Sequence, residues 1–218
     1  MAVNPQRPEP MSLLRTFIAL EIPHELQQII HQETTYLRNT IGPLIRWVPP
    51  ENMHLTLKFL GNISPANVEM LTQMIRAEAG SCQSFVMQVA GLACFPSPKR
   101  PRVIYIGLQA PAELEALQHG IESATTRLGY ESEERGFSPH LTVGRVRQNI
   151  SASDQQKIRR ALEETQIDSL GTARVDSVHL YNSDLKPTGS VYTRLFSARL
   201  KNSSDFIIPN GDSRSSND

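Results

Sequence analysis

His54 and His140 each open the same four-residue pattern, His54-Leu55-Thr56-Leu57 and His140-Leu141-Thr142-Val143. Polar and apolar residues alternate in both, which is the period of a β-strand. The imidazole and hydroxyl of each copy then share one face, and the aliphatic pair takes the other. A single copy also suits an ordinary edge strand with a solvated polar face. The recurrence, however, carries context. Each copy follows a Pro-containing stretch, Val48-Pro49-Pro50-Glu51-Asn52 or Phe137-Ser138-Pro139. Each is followed by a glycine and a cation, Lys58 and Gly61 or Gly144 and Arg145.

Two imidazoles with two hydroxyls beside them suit acid–base chemistry on an anion. Displacement at a phosphodiester needs a base on the entering oxygen and an acid on the leaving oxygen, roughly in line across the phosphorus. Imidazole titrates near pH ~6.5, so one ring can be neutral while the other is charged. The hydroxyls of Thr56 and Thr142 can donate to the non-bridging oxygens. Zinc also takes histidine, but with three or four ligands, and threonine is a poor one. With no CxxC or HExxH in the chain, neither a metal nor a cofactor is expected.

Strict alternation turns Arg145 away from His140. A bulge at Gly144 would bring it back to the same face, where it would neutralise phosphate charge; otherwise it is a surface arginine. Lys58 falls at period two from His54 and Thr56, so it either shares their face or is an exposed strand lysine. His24, His31, His119 and His179 have no recurring neighbours and read as surface or core residues. Trp47 reads as a core or loop anchor. Phe95 precedes a Pro-broken basic loop containing Lys99, Arg100 and Arg102, where rings can stack on bases and cations can meet phosphates.

The elements that must position these residues alternate along the chain. Strands are expected over Leu14–Ile22, Ile45–Val48, Met53–Leu60 (closed by Gly61-Asn62), Phe85–Leu92, Val103–Leu108, from His140, and over Arg174–Tyr181 and Val191–Leu200 around a turn at 186–189. Helices are expected over Glu25–Asn39, burying Leu26, Ile29, Ile30 and Leu37, after Ser64-Pro65, over Ala112–Leu128 and over Ser153–Thr165. Strands and helices alternate, and hairpin signals are present too, so the chain reads as α+β. The order strand, helix, His/Thr strand, helix is loosely duplicated, and two pseudo-symmetric lobes would set the two His/Thr strands face to face.

The chain has 218 residues, with Lys plus Arg and Asp plus Glu both 22. No global field draws in a polyanion, so any such binding needs a local patch. Cys82 and Cys94 imply no disulfide framework and suit a cytoplasmic protein with reduced thiols. No apolar run is long enough to cross a bilayer, and the N-terminus has no secretory pattern. Residues 1–11 and 203–218 read as flexible tails around one domain over 12–202, with Phe206-Ile207-Ile208 a docking patch. Nothing demands a protein partner or more than a monomer.

The paired motifs resemble the H-x-T-x signature of the 2H phosphoesterase superfamily. Within it, the chain is similar to the RNA 2′,3′-cyclic phosphodiesterases, also called 2′-5′ RNA ligases. The resemblance runs from about Leu14 to Leu200. It includes Arg15 to Leu20, Arg46 to Gly61, Phe95-Pro96-Ser97-Pro98 with Arg100-Pro101, and Leu180 to Leu185 with Pro187, Gly189 and Tyr192. It implies a bilobal, pseudo-symmetric α+β fold, with two mainly antiparallel sheets facing a central cleft and helices outside. It implies hydrolysis of RNA 2′,3′-cyclic phosphate ends to 2′-phosphates without a metal, with RNA as partner, and a reverse 2′-5′ joining reaction. His54 would be the proton donor and His140 the proton acceptor, while Thr56, Thr142 and Arg145 would bind the phosphate. The same chemistry on a small cyclic nucleotide, or RNA-end binding without turnover, are the rival readings.

Overall fold

The apolar run Thr16-Phe17-Ile18-Ala19-Leu20, dense in β-formers, lies at the centre of β1 (Leu14–Glu21). The computed structural model describes residues 12–187 and 189–202. The expectations for both tails and the docking patch lie outside these residues, as does Thr188 of the turn. The further strands are β2 (Ile45–Trp47), β3 (His54–Ile63), β4 (Phe85–Phe95), β5 (Val103–Gln109), β6 (His140–Val146), β7 (Ser169–Val175), β8 (Ser177–Lys186) and β9 (Gly189–Arg199). They form two antiparallel sheets, ordered β3-β1-β8-β9 and β2-β6-β5-β4-β7. Each sheet holds one His-x-Thr strand, and β3 and β6 approach one another where the sheets meet.

The helices are α1 (His24–Glu33), α2 (Thr35–Ile41), α3 (Val68–Ser81), α4 (Ala112–Arg127) and α5 (Ala152–Glu164). Helix α3 packs on β8 and β9, α4 on β3, α1 on β7, and α2 on α5. Their apolar faces join Leu55, Leu57, Leu141 and Val143 in one core. Burying each aliphatic side chain is worth about 1.5–3 kcal/mol. This core fixes which side of β3 and β6 faces inward, and leaves both His/Thr faces outward.

Four expectations are corrected. The single helix over Glu25–Asn39 is two helices. They meet at Thr34, whose buried hydroxyl donates to the Ile30 carbonyl at 2.8 Å and competes with the regular ladder. Ile29 is exposed, and its expected place is taken by Gln27, whose amide donates to the Met53 carbonyl. Gly61 does not close β3: at φ 71° it sits in a bulge, and the strand runs on to Ile63. Arg174–Tyr181 is not one strand. The chain changes sheets at Asp176, so β7 lies on the edge of one sheet and β8 inside the other.

Candidate active site

Residues 54–56 and 140–142 alternate as the sequence requires, with Leu55 and Leu141 in the core. Immediately after each threonine comes a bulge. In β3 the register against β1 jumps from Thr56 to Lys58, leaving Leu57 as the extra residue. In β6 the register against β5 jumps from Thr142 to Gly144, leaving Val143 extra. The same irregularity thus occurs at the same place in both copies, and it inverts the alternation beyond it.

The inversion decides the facing of four residues. In the second copy it turns Gly144 inward and Arg145 outward, so Arg145 lines one cleft with His54, Thr56, His140 and Thr142. Gly144 is needed because a Cβ there would stand 2.6 Å from Ile45 Cγ2 and 3.1 Å from Trp47 Cε3. In the first copy the inversion turns Lys58 inward and Phe59 outward. Lys58 is therefore neither exposed nor on the His54 face: at 5% exposure it donates to Glu122 Oε1 and the Glu131 carbonyl, both at 2.6 Å. Glu122 also accepts from the Glu133 amide, so a residue of the first motif strand ties down the loop that leads to the second.

Both imidazoles are held alike. His54 Nδ1 donates to the Asn52 carbonyl at 2.8 Å, and His140 Nδ1 donates to the Ser138 carbonyl at 2.7 Å. A carbonyl can only accept, so the proton sits on Nδ1 and the lone pair on Nε2. The Pro-containing stretches before each motif thus supply the carbonyls that set the tautomer. Aromatic rings fix the ring planes: Phe17 stacks on His54 at 4.8 Å with Tyr192 edge-on at 5.2 Å, and Phe95 and Tyr105 meet His140 edge-on at 5.1 and 5.3 Å. Reading the sequence assigned no role to Phe17, Tyr105 and Tyr192, since nothing local marks a ring that packs on a histidine from another strand.

The cleft has a volume of about 670 Å³. Arg15, Arg46 and Arg145 line it, and no Asp or Glu does so among the described residues. A neutral chain has thereby concentrated positive charge at one place. Burial, together with the Arg145 charge and His140, pushes His54 down to about 4, against the upward pull of its bond to Asn52. Burial also lowers His140, again with Arg145 acting in the same direction. A second cavity of about 550 Å³ lies on the other flank of Phe17 and His54. Its wall includes Glu21, which accepts hydrogen bonds from the Tyr181 hydroxyl and from Arg194.

The exposed side chains of Lys99, Arg100 and Arg102 do not line the cleft, whereas Phe95 at the start of their loop does. His24 borders the second cavity. Trp47 packs on the core beside Arg38. His179 is buried, 3.2 Å from Ser177 Oγ. Cys82 and Cys94 are unbridged. Among the described residues no helix is long and apolar enough to cross a membrane, and no three His, Cys, Asp or Glu side chains gather where an ion could be held.

Two sheets that bring His-x-Thr strands to one cationic cleft define a phosphoesterase of the 2H type. The LigT-like phosphoesterase model matches twice, over residues 20–105 and 106–192, one match for each motif strand. The chain belongs to the LigT-like phosphoesterase family and is a hydrolase. It is 29% identical over 187 residues to an RNA 2′,3′-cyclic phosphodiesterase of Methanothermobacter thermautotrophicus, covering 86% of this chain and 99% of that protein. It is 30% identical over 183 residues to one of Archaeoglobus fulgidus, covering 84% and 98%. The E. coli LigT structure in apo form is 26% identical with a TM-score of 0.67, covering 87% of this chain and 98% of that one. TT0787 of Thermus thermophilus has a TM-score of 0.73 at 24% identity, covering 87% and 100%, and shows the fold.

Proposed function

We propose that the protein hydrolyses RNA 2′,3′-cyclic phosphate ends to 2′-phosphates by metal-independent acid–base catalysis, acting as one bilobal unit over residues 12–202. One observation carries this reading: both imidazoles have Nδ1 occupied by a carbonyl, which leaves each Nε2 as the titrating atom in a single cleft lined by arginines. His140 takes a proton from water as that water attacks phosphorus. His54 gives a proton to the departing 3′-oxygen on the opposite flank. The hydroxyls of Thr56 and Thr142 and the Arg145 guanidinium hold the non-bridging oxygens, where charge grows in the transition state. Relatives named RNA 2′,3′-cyclic phosphodiesterase over nearly their whole length support this substrate, and E. coli LigT, 26% identical, has been solved with phosphate.

The test is hydrolysis of a cyclic-phosphate-ended oligonucleotide in EDTA, with the phosphate position of the product identified. The wild type is expected to yield a 2′-phosphate, and His54→Ala and His140→Ala to lose at least the roughly 10²–10⁴-fold that a positioned acid or base supplies. Unaltered hydrolysis in either variant would overturn the assigned roles. A 3′-phosphate product would reverse the leaving group, and loss of wild-type turnover in EDTA would overturn metal independence. Joining of cyclic ends to 5′-hydroxyls would use the same groups in the same roles, with the 5′-hydroxyl in place of water and the 3′-oxygen again departing, and the same reaction mixtures detect it as a longer product.

A further inference from the structure

The two motif histidines lean on carbonyls of unequal rigidity. Asn52, which serves His54, ends a short 3-10 helix over Pro50–Asn52. Its amide donates to the Pro49 carbonyl and that of Met53 to Pro50, both at 3.0 Å, while its side chain donates to the Ser190 carbonyl of β9. Ser138, which serves His140, has no such turn. It lies near the end of residues 128–139, an irregular stretch between α4 and β6, and residues 131–136 there are all exposed. A connection this long without regular structure is uncommon in a compact domain. Past Tyr130 it is held by Phe137, which packs on the core, and by the bonds of Lys58 to the Glu131 carbonyl and of Glu122 to the Glu133 amide.

The two bulges make Lys58 the counterpart of Gly144. In the second lobe that inward position has no room for a side chain, because Ile45 and Trp47 press on it. In the first it carries an ammonium that reaches Glu122 on α4 and the Glu131 carbonyl. The family model divides the chain between residues 105 and 106, so both contacts pass from one half to the other. Stability alone does not account for a lysine here: a buried ion pair exchanged for apolar side chains of similar volume often leaves a protein as stable or more so. An apolar residue could not, however, donate to the Glu131 carbonyl or hold Glu122 toward the Glu133 amide.

We propose that Lys58 is a positioning residue for His140: with Glu122 it pins residues 131–133, and so holds the Ser138 carbonyl that keeps the proton on His140 Nδ1 and the lone pair on Nε2. The inference rests on the reading of His140 as proton acceptor given above, and adds that the first motif strand sets the second motif's histidine. Released from this strut, the Ser138 carbonyl leaves Nδ1 part of the time. The imidazole is then free to carry its proton on Nε2, where it cannot take one from water.

The experiment separates the hold on the loop from the stability of the fold. Lys58→Met with Glu122→Met removes both bonds to the loop and leaves no unpaired charge. Glu122→Gln does the reverse: its amide oxygen still accepts from Lys58 and Glu133, the ammonium loses its counter-charge, and Oε2, which has no partner among the described residues, is the atom replaced by NH2. Wild type and variants are assayed on a cyclic-phosphate-ended oligonucleotide at a temperature where all are folded. Tm and the imidazole 15N shifts, which report the tautomer, are measured on the same samples. The double variant should keep a Tm near that of the wild type, yet lose roughly tenfold to 100-fold in kcat, the scale of a misplacement of about 1 Å, with KM little changed. Its His140 should show mixed tautomers while His54 stays protonated on Nδ1. Glu122→Gln should lose Tm but keep most of the wild-type kcat and the His140 tautomer. Rates that follow Tm through the series would make Lys58 merely structural and overturn the proposal. So would a His140 protonated only on Nδ1 in the double variant, whatever its rate, since Phe137 would then suffice to hold Ser138. If the wild type turns over no cyclic end, or His140→Ala is fully active, the reaction reading falls by itself. The His140 tautomer in the double variant then decides the positioning.

Discussion

His54 poses a quantitative demand on its own cleft. Burial and Arg145 hold its imidazole at about 4 in the free protein, so at neutral pH it carries no second proton to give. An acid there must be made by the substrate. A unit negative charge about 4 Å from Nε2 is worth about 4 kcal/mol at an effective dielectric of 20. With about 1.4 kcal/mol per pKa unit, that is about 3 units, enough to bring His54 to about 7. The phosphate that His54 protonates would thus supply the charge that keeps it protonated. The assay is an NMR titration of the imidazole signals, assigned with His54→Gln and His140→Gln, with and without saturating inorganic phosphate. In the free protein His54 should titrate well below His140, and phosphate should raise it by about 2–3 units. Rates should follow: the alkaline limb of the kcat profile, which reports the bound enzyme, should lie above that of kcat/KM, which reports the free enzyme. A free His54 that titrates near its ordinary value, or one unmoved by saturating phosphate, would refute the reasoning.

The other expectations follow from the same geometry. Arg145→Gln removes a charge that lowers both histidines; both should titrate higher in the free protein, while phosphate binding weakens by roughly tenfold or more. Lys58→Met leaves Glu122 without its cation and should cost about 3 kcal/mol, read as a Tm lower by roughly 6–12 °C. Lys58→Met with Glu122→Met should recover most of that loss, and a double variant no more stable than the single would sink the buried-pair account. Gly144→Ala drives a Cβ against Ile45 and should cost about 1–3 kcal/mol in urea unfolding, with activity falling further because Thr142 and Arg145 flank the strained position. Because folding depresses His54, the folded state binds fewer protons than the unfolded one between about pH 4 and 6.5. Stability should therefore decline by up to about 3 kcal/mol as pH falls through that window, and His54→Gln should blunt the decline in acid-unfolding curves.

What the chain declares by itself is local and periodic. Alternation placed His54 with Thr56 and His140 with Thr142, because a strand has a period of two and the aliphatic partners must reach a core. Duplication of the pattern with its prolines and glycines pointed to two lobes and one anion between them. Gly144 marked the second bulge, since a glycine inside a strand pattern signals close backbone approach. Leu57 in the first copy carries no such mark, and so the inward turn of Lys58 and the outward turn of Phe59 could not be read. The sheet change at Asp176 was likewise hidden, because a strand's hydrophobic pattern does not say which sheet it joins. Tertiary structure alone decided the rings that clamp each imidazole, the carbonyls that choose its tautomer, and the convergence of Arg15, Arg46 and Arg145 in a chain of no net charge. Each of these is a relation between strands far apart in sequence. Such relations arise when two apolar faces are buried against a shared core, and no window of the sequence contains both partners.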